Sequence, residues 1–498
     1  MIVQGVWQEV LSFGEKERIV LEATPGQLTA HAGLLPLRAL DEYLGLTQAF
    51  AAALADPRDP ELSEHTVAEM VRVRIYGILA GHEDQNDHDT LRSDPIFKLL
   101  VGRSPDGPAL ASQPTLSRCE NSIDIPSLKR LKDLFIDQFI ASFSQPPRHL
   151  IFDLDAVDDP AHGNQQLTFW HNYYDQNQYL PLVLTCANND LVVMLSLRHG
   201  SCHAALGAPD DLEYLVNRLR RVWPDVVIYV RGDAAFGIPG MYEVSERLRI
   251  LYTFGLTSNS VLNRQTEALL DQAVAAWEQE RQRAGVEQRA AQPARLFEGF
   301  WYRAGTWPEP RWVIAKAEAN EQGRQRRFVV SNRPGALLFP EATYDEYARR
   351  GEGENRNKEL KCGCDMDRLS DHRFVANYFR LYLAGAALNL LARCRQAVQV
   401  AEAASAAAAA VEPGGVPAEA FQGEQRRRYF RLRQQHDILG QGQPDTWRRL
   451  VIDVAAEVVV SARRVVVRLS NCWPHLEAFQ QMCERLRTYL HNATPAPT

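Results

Sequence analysis

The segment HLIFDLDAV, residues 149–157, indicates the fold class, because it is a short, mostly apolar run with two aspartates near its end. Such a run is typical of a β-strand. The segments QLTFWHNYY (166–174), LPLVLTCA (180–187) and LVVMLSL (191–197) follow, separated by turn-forming residues. They predict consecutive strands joined by turns.

A helix and two more strands continue the pattern. DDLEYLVNRLRRVW (210–223) has the apolar spacing of an amphipathic helix, while VVIYVRGD (226–233) and YTFGL (252–256) are typical of short buried strands. Strands followed by a strand–helix alternation predict an α/β fold with a mixed sheet.

Composition limits the class of protein further. With 498 residues, 45% of them hydrophobic, the chain should bury a core in two or more domains, which excludes wholesale disorder. It contains no run of 18 apolar residues and no recognisable signal peptide, so we expect a soluble, cytoplasmic protein without a membrane partner.

Charge and cysteine content exclude two further classes. The 55 cationic and 62 anionic residues give a net charge of −7, which argues against a generic nucleic-acid coat protein but allows local basic surfaces. The eight cysteines include no Cys-x-x-Cys pair, which argues against a disulfide framework or a structural zinc site.

Candidate catalytic carboxylates stand at the ends of two predicted strands. Asp153 and Asp155 end the first strand, and Asp233 directly follows a buried one. Side chains at such positions are held rigidly at the edge of a sheet. Each aspartate has an alternative interpretation as a turn former or a helix cap.

A third candidate lies in EYARRGEGENRNKELK (346–361), which predicts a helix. At helical spacing, one narrow stripe of it carries Tyr347, Arg350, Glu354 and Lys361. The alternative is a solvated charged face. The glycines at 351 and 353 weaken a helix and would let another backbone, such as that of DNA, approach closely.

Three carboxylates with flanking cations suit phosphoryl transfer. Hydrolysis and transesterification of a phosphodiester use two divalent ions about 4 Å apart, one activating the attacking oxygen and one stabilising the leaving oxygen. Carboxylates are hard ligands that suit Mg²⁺ or Mn²⁺. Arg and Lys side chains nearby would hold the phosphate.

These motifs carry a family resemblance that extends over nearly the whole chain. The spacing Tyr-(2)-Arg-(3)-Glu-(6)-Lys is complete. Further stretches that support it are AGHEDQNDHDTLRSDPIF, LASQPTLSRCEN, FDLDAVDDPAHGNQQ, YLPLVLT, VRGDAAFG, RGEGENRNKELK and ARRVVVRLSNCWP. The chain resembles the DDE transposases of bacterial insertion sequences, specifically the 1380 group.

The resemblance implies an RNase H-like catalytic domain interrupted by a β-rich insertion. It also implies two Mg²⁺ ions per active site, with Mn²⁺ as a substitute. The implied catalytic residues and metal ligands are Asp155, Asp233 and Glu354, and the implied phosphate contacts are Tyr347, Arg350 and Lys361. Relatives often show Asp-x-Thr at the first position, whereas this chain has Asp155-Ala156-Val157, so Asp153 stays an alternative first ligand.

Other residues are candidates for DNA contact. Trp301 and Trp307 could stack on a flipped or terminal base, with a core role as the alternative. Ser117 and Arg118 lie in a segment that resembles a recognition helix, with a plain capped helix as the alternative. The basic run RRRYFRLR supplies phosphate contacts from Arg426, Arg427 and Arg428.

The function expected from the resemblance is cut-and-paste transposition by a homodimer on paired ends. The protein would bind terminal inverted repeats, cleave the ends and join the 3′-hydroxyls to target DNA, lying with the nucleoid when bound. The alternatives are a catalytically inactive DNA-binding derivative, such as a repressor or domesticated form, and a stand-alone nuclease.

The sequence patterns and the resemblance together divide the chain into six segments. They are a helical DNA-binding and dimerisation domain (1–145), the first part of the catalytic core (146–260), the insertion (261–334), the second part of the core (335–400), an Ala/Gly/Pro-rich linker (401–425) and a C-terminal segment (426–498).

Overall fold

The computed structural model describes residues 8–11, 19–23, 26–399 and 437–492. The chain divides into two compact units: residues 1–44, 64–116 and 397–498 form the first, and residues 45–63 and 117–396 form the second. Among the helices that these described ranges contain, none has the length and apolarity needed to cross a membrane.

The strands are β1 (Gln8–Leu11), β2 (Ile19–Glu22), β3 (Gln27–Thr29), β4 (His149–Ala156), β5 (Asp159–Pro160), β6 (Phe169–His171), β7 (Gln176–Tyr179), β8 (Leu182–Cys186), β9 (Val192–Ser196), β10 (Val227–Gly232), β11 (Leu251–Leu256), β12 (Ala294–Tyr302), β13 (Arg311–Asn320), β14 (Gly323–Ser331), β15 (Ala456–Ser461) and β16 (Arg464–Leu469).

The α-helices are α1 (Leu34–Leu44), α2 (Leu46–Ala52), α3 (Val67–Leu79), α4 (His88–Leu91), α5 (Pro95–Leu100), α6 (Gln113–Asn121), α7 (Ile125–Ala141), α8 (Ala208–Val222), α9 (Pro239–Arg247), α10 (Ser260–Gln265), α11 (Glu267–Val286), α12 (Pro340–Ala348), α13 (Gly351–Lys358), α14 (Phe374–Val398), α15 (Pro444–Trp447) and α16 (Leu476–Asn492). Short 3₁₀ helices span Pro60–Leu62, Ala234–Phe236 and Pro334–Leu337, and π-helical turns span Glu359–Gly363 and Arg448–Ile452.

An eight-stranded mixed sheet organises the second unit, which confirms the predicted α/β class. Its order is β12-β13-β14-β11-β10-β4-β8-β9. Strands β4, β10 and β11 run parallel, and the neighbouring pairs on either side of them are antiparallel. The three parallel strands are apolar along most of their length because helices cover parallel strands on both faces.

Helices α7 and α8 contribute to the core that the sheet buries. Ile136 and Phe139 of α7 and Leu212 and Leu215 of α8 join Phe152 of β4 in one apolar cluster. Helix α7 begins at a cap in which the Asp124 side chain accepts from the Ser127 amide. Residues 125–141 therefore pack with the sheet, although sequence analysis assigned them to the N-terminal segment.

The predicted insertion strands form, and they extend the main sheet. Strand β14 pairs antiparallel with β11, and β13 and β12 follow outward to the sheet edge. A β-rich segment inserted in the sequence thus continues the sheet in space. The sequence could not predict this pairing, because a local pattern of alternation does not show which strands are neighbours.

The predicted strand at 166–174 is shorter than expected and lies outside the main sheet. Only Phe169–His171 is extended as β6, and it forms a separate three-stranded sheet of order β5-β7-β6. Residues 172–175 form the turn that leads into β7. The aromatic run that suggested a strand is thus split between a short strand and a turn.

The predicted single helix over 346–361 is a second correction. Helix α12 ends at Ala348, α13 begins at Gly351, and a π-helical turn follows from Glu359. The stripe of four signature residues therefore does not lie on one continuous helix. The break coincides with Gly351, a residue that weakens helix continuity.

The first unit combines helices with small sheets. Helix α3 begins with a capping box in which Thr66 and Glu69 each satisfy the other's backbone amide. Strand β3 pairs with β15, and β15 pairs with β16. The predicted linker at 401–425 and the predicted contacts Arg426, Arg427 and Arg428 lie outside the described residues.

Candidate active site

Asp155 and Asp233 lie side by side at one edge of the main sheet. Strands β4 and β10 are parallel, and Leu154 is paired with Gly232 in their register. Asp155 and Asp233 take the next position on each chain. The Asp233 side chain accepts from the Ala235 amide at 2.9 Å, which fixes it as the cap of the following 3₁₀ turn.

Asp153 has a different environment, although it lies on the same face of β4 as Asp155. It is 5% exposed, and its two carboxylate oxygens accept from Nε and Nη2 of Arg231 at 2.6 and 2.7 Å. Arg231 also donates from Nη1 to the Glu346 carbonyl at 2.8 Å. The carboxylate of Asp153 is thus committed to a buried, two-point ion pair.

Helix α13 brings the third carboxylate to the edge where Asp155 lies. The Arg350 guanidinium lies between them: its Nη2 donates to Glu354 Oε1 at 2.7 Å, and its Nη1 is 3.7 Å from Asp155 Oδ2. Asn357 Nδ2 donates to the same Asp155 oxygen at 2.7 Å. Glu354 has the most exposed side chain of these residues, at 57%.

Asp233 and Glu354 both act electrostatically on Asp155. Burial raises the pKa of Asp155 to about 6, Arg350 opposes the rise, and Asp233 and Glu354 add to it. Burial likewise raises the pKa of Tyr347, and this rise is opposed by Arg350 and reinforced by Asp233 and Glu354. Asp155 and three of the four signature residues, Tyr347, Arg350 and Glu354, therefore share one electrostatic environment with Asp233.

Close packing of α13 on β4 depends on Gly353. A Cβ at this position would lie 3.0 Å from Asp153 Oδ2 and 3.1 Å from its Cβ. The sequence predicts that the two glycines admit another backbone, such as that of DNA. At Gly353 the neighbour is the protein's own Asp153, whereas a Cβ at Gly351 meets no atom within 4 Å.

Lys361 lies in the π-helical turn after α13. Its Nζ donates to Asp158 Oδ1 at 2.9 Å and to the Asp158 carbonyl at 3.0 Å. The signature lysine therefore contacts the loop that follows Asp155. This contact brings a cation to the segment between β4 and β5.

The donor set consists of hard oxygens, but it is not gathered as a finished cation site. Within the described ranges, no group of three or more His, Cys, Asp or Glu side chains is arranged to hold a metal ion. The partner of Glu354 gives the reason, since this carboxylate is turned to Arg350. Asp155 and Asp233 keep their places at the ends of adjacent strands.

The other predicted DNA contacts have contrasting environments. Trp307 is 4% exposed and packs edge-on against Tyr242 and Tyr302, so its ring faces are not open to a base. Trp301 is 60% exposed at the edge strand β12. Ser117 and Arg118 lie on α6, where Arg118 is exposed and Ser117 partly buried.

Sequence reasoning missed Asn357 and Arg231. Asn357 lies in the RNK stretch three residues after Glu354, so helical spacing could have placed it on the same face. Arg231 precedes Asp233 by two residues in a buried strand, where an arginine needs a partner. The sequence therefore indicates that Arg231 is buried and paired, but it does not identify Asp153 as the partner.

Comparison with protein families matches residues 11–412 to a family described as transposase DDE domain, group 1. The chain belongs to this family. The match spans the carboxylates and the four signature residues, and it gives the chain the DNA substrate and the nuclease or transposase type of this class, which generally uses divalent metals. Comparison with curated proteins gave no significant match.

Proposed function

We propose that the chain is an insertion-sequence transposase of the 1380 group that cleaves DNA at the ends of its element and joins the 3′-hydroxyls to target DNA. The observation that carries this proposal is the meeting of Asp155, Asp233 and the Arg350–Glu354 pair at one sheet edge. These residues are distant in sequence, so their meeting comes from the fold.

The strand order supports an RNase H-like core. In the chain order of the five strands β4, β8, β9, β10 and β11, the sheet runs third, second, first, fourth, fifth, with the fourth parallel to the first. The first acidic residue, Asp155, lies near the end of the first of these strands, and the second, Asp233, directly follows the fourth. The remaining three strands, β12 to β14, correspond to the β-rich insertion that the resemblance implies.

We propose Asp155, Asp233 and Glu354 as the residues that hold two Mg²⁺ ions, with Mn²⁺ as a substitute. A divalent cation would offset the burial, and the repulsion from Asp233 and Glu354, that raise the pKa of Asp155, and it would replace Arg350 as the partner of Glu354. When bound, the ions activate the attacking oxygen and stabilise the leaving oxygen. Asp153 is disfavoured as a ligand because Arg231 occupies both its oxygens.

The chain's own cations would position the DNA. Arg350, once displaced from Glu354, presents planar donors beside the carboxylates and suits a phosphate with two accepting oxygens. Lys361 holds a compact charge at Asp158, three residues after Asp155. Tyr347 lies beside Arg350 and would orient it, since the phenol shares its electrostatic environment.

The test is Mg²⁺-dependent cleavage of a duplex that carries the DNA flanking the coding region. We expect Asp233→Ala and Glu354→Gln to reduce cutting by at least a hundredfold, because each removes a charged oxygen ligand. Glu341→Gln is the matched control, since Glu341 is an exposed residue at the start of α12. It should cut like the wild type.

Three outcomes would contradict the assignment. Undiminished cutting by Asp233→Ala or Glu354→Gln would remove the carboxylate site from the mechanism. Tight binding of the ends by the wild type without any nicking in Mg²⁺ or Mn²⁺ would indicate the inactive DNA-binding derivative. Efficient cutting without strand-transfer products would indicate a stand-alone nuclease.

The remaining parts of the proposal follow from the reaction. A homodimer on paired inverted repeats would cut both ends together, and the protein would lie in the cytoplasm with the nucleoid. Residues 1–145 would bind the repeats, with Ser117 and Arg118 near the bases and Arg426, Arg427 and Arg428 at phosphates. Trp301 is the better candidate for base stacking because its ring is exposed.

A further inference from the structure

The chain leaves the main sheet at the candidate active site, forms the small sheet β5-β7-β6, and then rejoins the main sheet. The chain passes from β4 into this sheet just after Asp155 and returns as β8, where Val183 is the partner of Asp155 in the register. The small sheet is therefore connected to the main sheet next to Asp155 at both of its ends.

One face of the small sheet is turned toward the carboxylates. His171 is paired with Gln176 and lies on that face, whereas Trp170, paired with Asn177, lies on the opposite one. Gln176 Nε2 donates to Gln178 Oε1 at 2.9 Å and to Asp158 Oδ2 at 3.4 Å. Asp158 also accepts from Lys361, so this face borders the signature lysine.

The turn after β6 continues this face with two tyrosines. The Tyr174 ring is 5.1 Å from the His171 ring and 4.9 Å from the Tyr173 ring, measured between centroids. Tyr173 is 84% exposed. Burial raises the pKa of Tyr174 to about 12, with further contributions from Asp158 and Asp155. The pair thus extends from the carboxylates into solvent.

The small sheet is a firm support for these rings. Gly200 packs so closely on it that a Cβ would lie 1.8 Å from the Gln178 carbonyl oxygen and 2.5 Å from that of Phe169. The Gly200 amide donates to the Leu167 carbonyl at 3.1 Å. A ring already held in place loses little freedom when a ligand stacks on it.

The charge of this segment decides which part of DNA it can bind. Residues 157–181 contain no lysine or arginine, and they include Asp158, Asp159 and Asp175. Away from Lys361, which lies at Asp158, these carboxylates would repel phosphates. A nucleobase is uncharged and presents a π-face to an aromatic ring, and this interaction tolerates any sequence.

We propose that Tyr173, whose ring meets that of Tyr174 at 85°, forms a stacking platform for an unpaired base of the strand whose phosphate lies at Asp155 and Asp233. This inference rests on the proposed function for the identity of the ligand. The base has to be unpaired, because the faces of a base inside a duplex are covered by its neighbours. Stacking supplies the affinity, so it should depend little on salt.

The first experiment measures binding of a fluorescent single-stranded oligonucleotide to the full chain by anisotropy, without divalent ions, at several salt concentrations. We expect Tyr173→Ala to weaken binding about tenfold by the same factor at each salt concentration. Tyr173→Phe keeps the ring and should bind like the wild type. Trp170→Ala is the matched control, since Trp170 is 51% exposed on the opposite face.

The second experiment places 2-aminopurine beside the cleavage point of an end-containing duplex. Stacking in the wild-type complex should quench its fluorescence, and Tyr173→Ala should restore it. Circular dichroism of Tyr173→Ala should match the wild type, because this exposed turn residue is outside the core.

The platform would be overturned if Tyr173→Ala bound the oligonucleotide like the wild type, or if Trp170→Ala lost as much affinity. Cleavage by the wild type, measured in parallel, distinguishes a failure of the proposed function from a failure of the stacking platform. Absent cleavage with tyrosine-dependent stacking would contradict the proposed function while supporting the platform. Normal cleavage with unchanged stacking would contradict the platform alone.

Discussion

At the residue scale, Asp153 and Asp155 are chemically identical side chains that differ in role because they have different partners. They are two residues apart on β4 and therefore lie on the same face. Asp153 is matched with Arg231 in the β4–β10 register, and the two form a buried ion pair. Asp155 lies one step further, where β10 has ended and Arg350 and Asn357 approach.

Asp153→Asn should destabilise the protein by about 3–5 kcal/mol, because it leaves the buried Arg231 cation without its counter-charge. Urea unfolding followed by circular dichroism measures the loss. The double variant Asp153→Leu/Arg231→Met should lose much less, since replacement of both charges by apolar groups is often neutral. If the double variant lost as much stability as Asp153→Asn, the unpaired charge of Arg231 would not be the cause of the loss.

The same double variant also separates the two candidate first ligands. With Asp155 as the ligand, the double variant should keep Mg²⁺-dependent cleavage, whereas Asp155→Asn should lose it by at least a hundredfold. Abolished cutting by a stable, folded double variant would instead assign the first ligand to Asp153.

His88 in the first unit gives a prediction on pH. It is fully buried, Arg74 Nη1 lies 3.1 Å from its Nε2, and burial followed by Arg74 lowers its pKa well below the usual value. The unfolded chain therefore binds more protons than the folded one near pH 6.5. The stability that depends on neutral His88 is present above that pH and falls below it.

Between pH 6.5 and pH 5, we expect His88 to reduce the unfolding free energy by up to about 1.4 kcal/mol per pH unit. Thermal unfolding midpoints over this range should fall less steeply in His88→Gln than in the wild type. His149→Gln is the control, because His149 is exposed at the start of β4. Equal slopes in all three proteins would contradict the burial of a neutral His88.

At the element scale, the placement of α13 on the sheet decides whether Glu354 reaches Asp155. The helix packs over the Asp153–Arg231 pair through Gly353, and Arg231 also bonds the Glu346 carbonyl in α12. Two helices and two strands therefore meet around one ion pair. A side chain added at position 353 would therefore shift the helix that carries Glu354.

Gly353→Ala should reduce cleavage by at least tenfold and destabilise the protein by about 1–3 kcal/mol, because the added methyl meets an Asp153 side chain that cannot move aside. Gly351→Ala is the matched control in the same helix, where the added methyl meets open space. It should cut normally and gain up to about 1 kcal/mol from helix propensity. Equal behaviour of the two variants in cleavage and unfolding assays would contradict this packing.

At the scale of the whole molecule, net charge and DNA affinity have different origins. The chain carries −7, so DNA binding depends on local cations rather than on a general attraction. Phosphate contacts release counter-ions and depend on salt, whereas stacking does not. The salt dependence of binding can therefore separate the two kinds of contact.

Lys361→Gln should reduce the slope of log K against log salt by about 0.9 for duplex DNA, the value for one lost phosphate contact. Tyr173→Ala should lower affinity without changing the slope. Lys129→Gln, an exposed lysine on α7, is the control and should leave both unchanged. Titrations by anisotropy over a range of salt concentrations measure the slopes, and an unchanged slope in Lys361→Gln would remove this lysine from the phosphate contacts.

The sequence by itself determined the α/β class, the strands that end on Asp155 and Asp233, and the signature that includes Glu354. These features are local: alternation, strand ends and spacing are written in neighbouring residues. The family match confirms the transposase class to which they were attributed.

The partners of the two β4 aspartates came from the tertiary structure alone: Asp153 is paired with Arg231, and Asp155 faces Arg350 and Asn357. So did the break in the helix at 346–361 and the burial of Trp307. The tertiary structure alone placed the tyrosine pair of the small sheet beside the carboxylates. Each of these depends on strand register or on packing between segments far apart in the chain. Such contacts have no periodic trace in sequence, because a side chain's partner is set by which strand lies next to it.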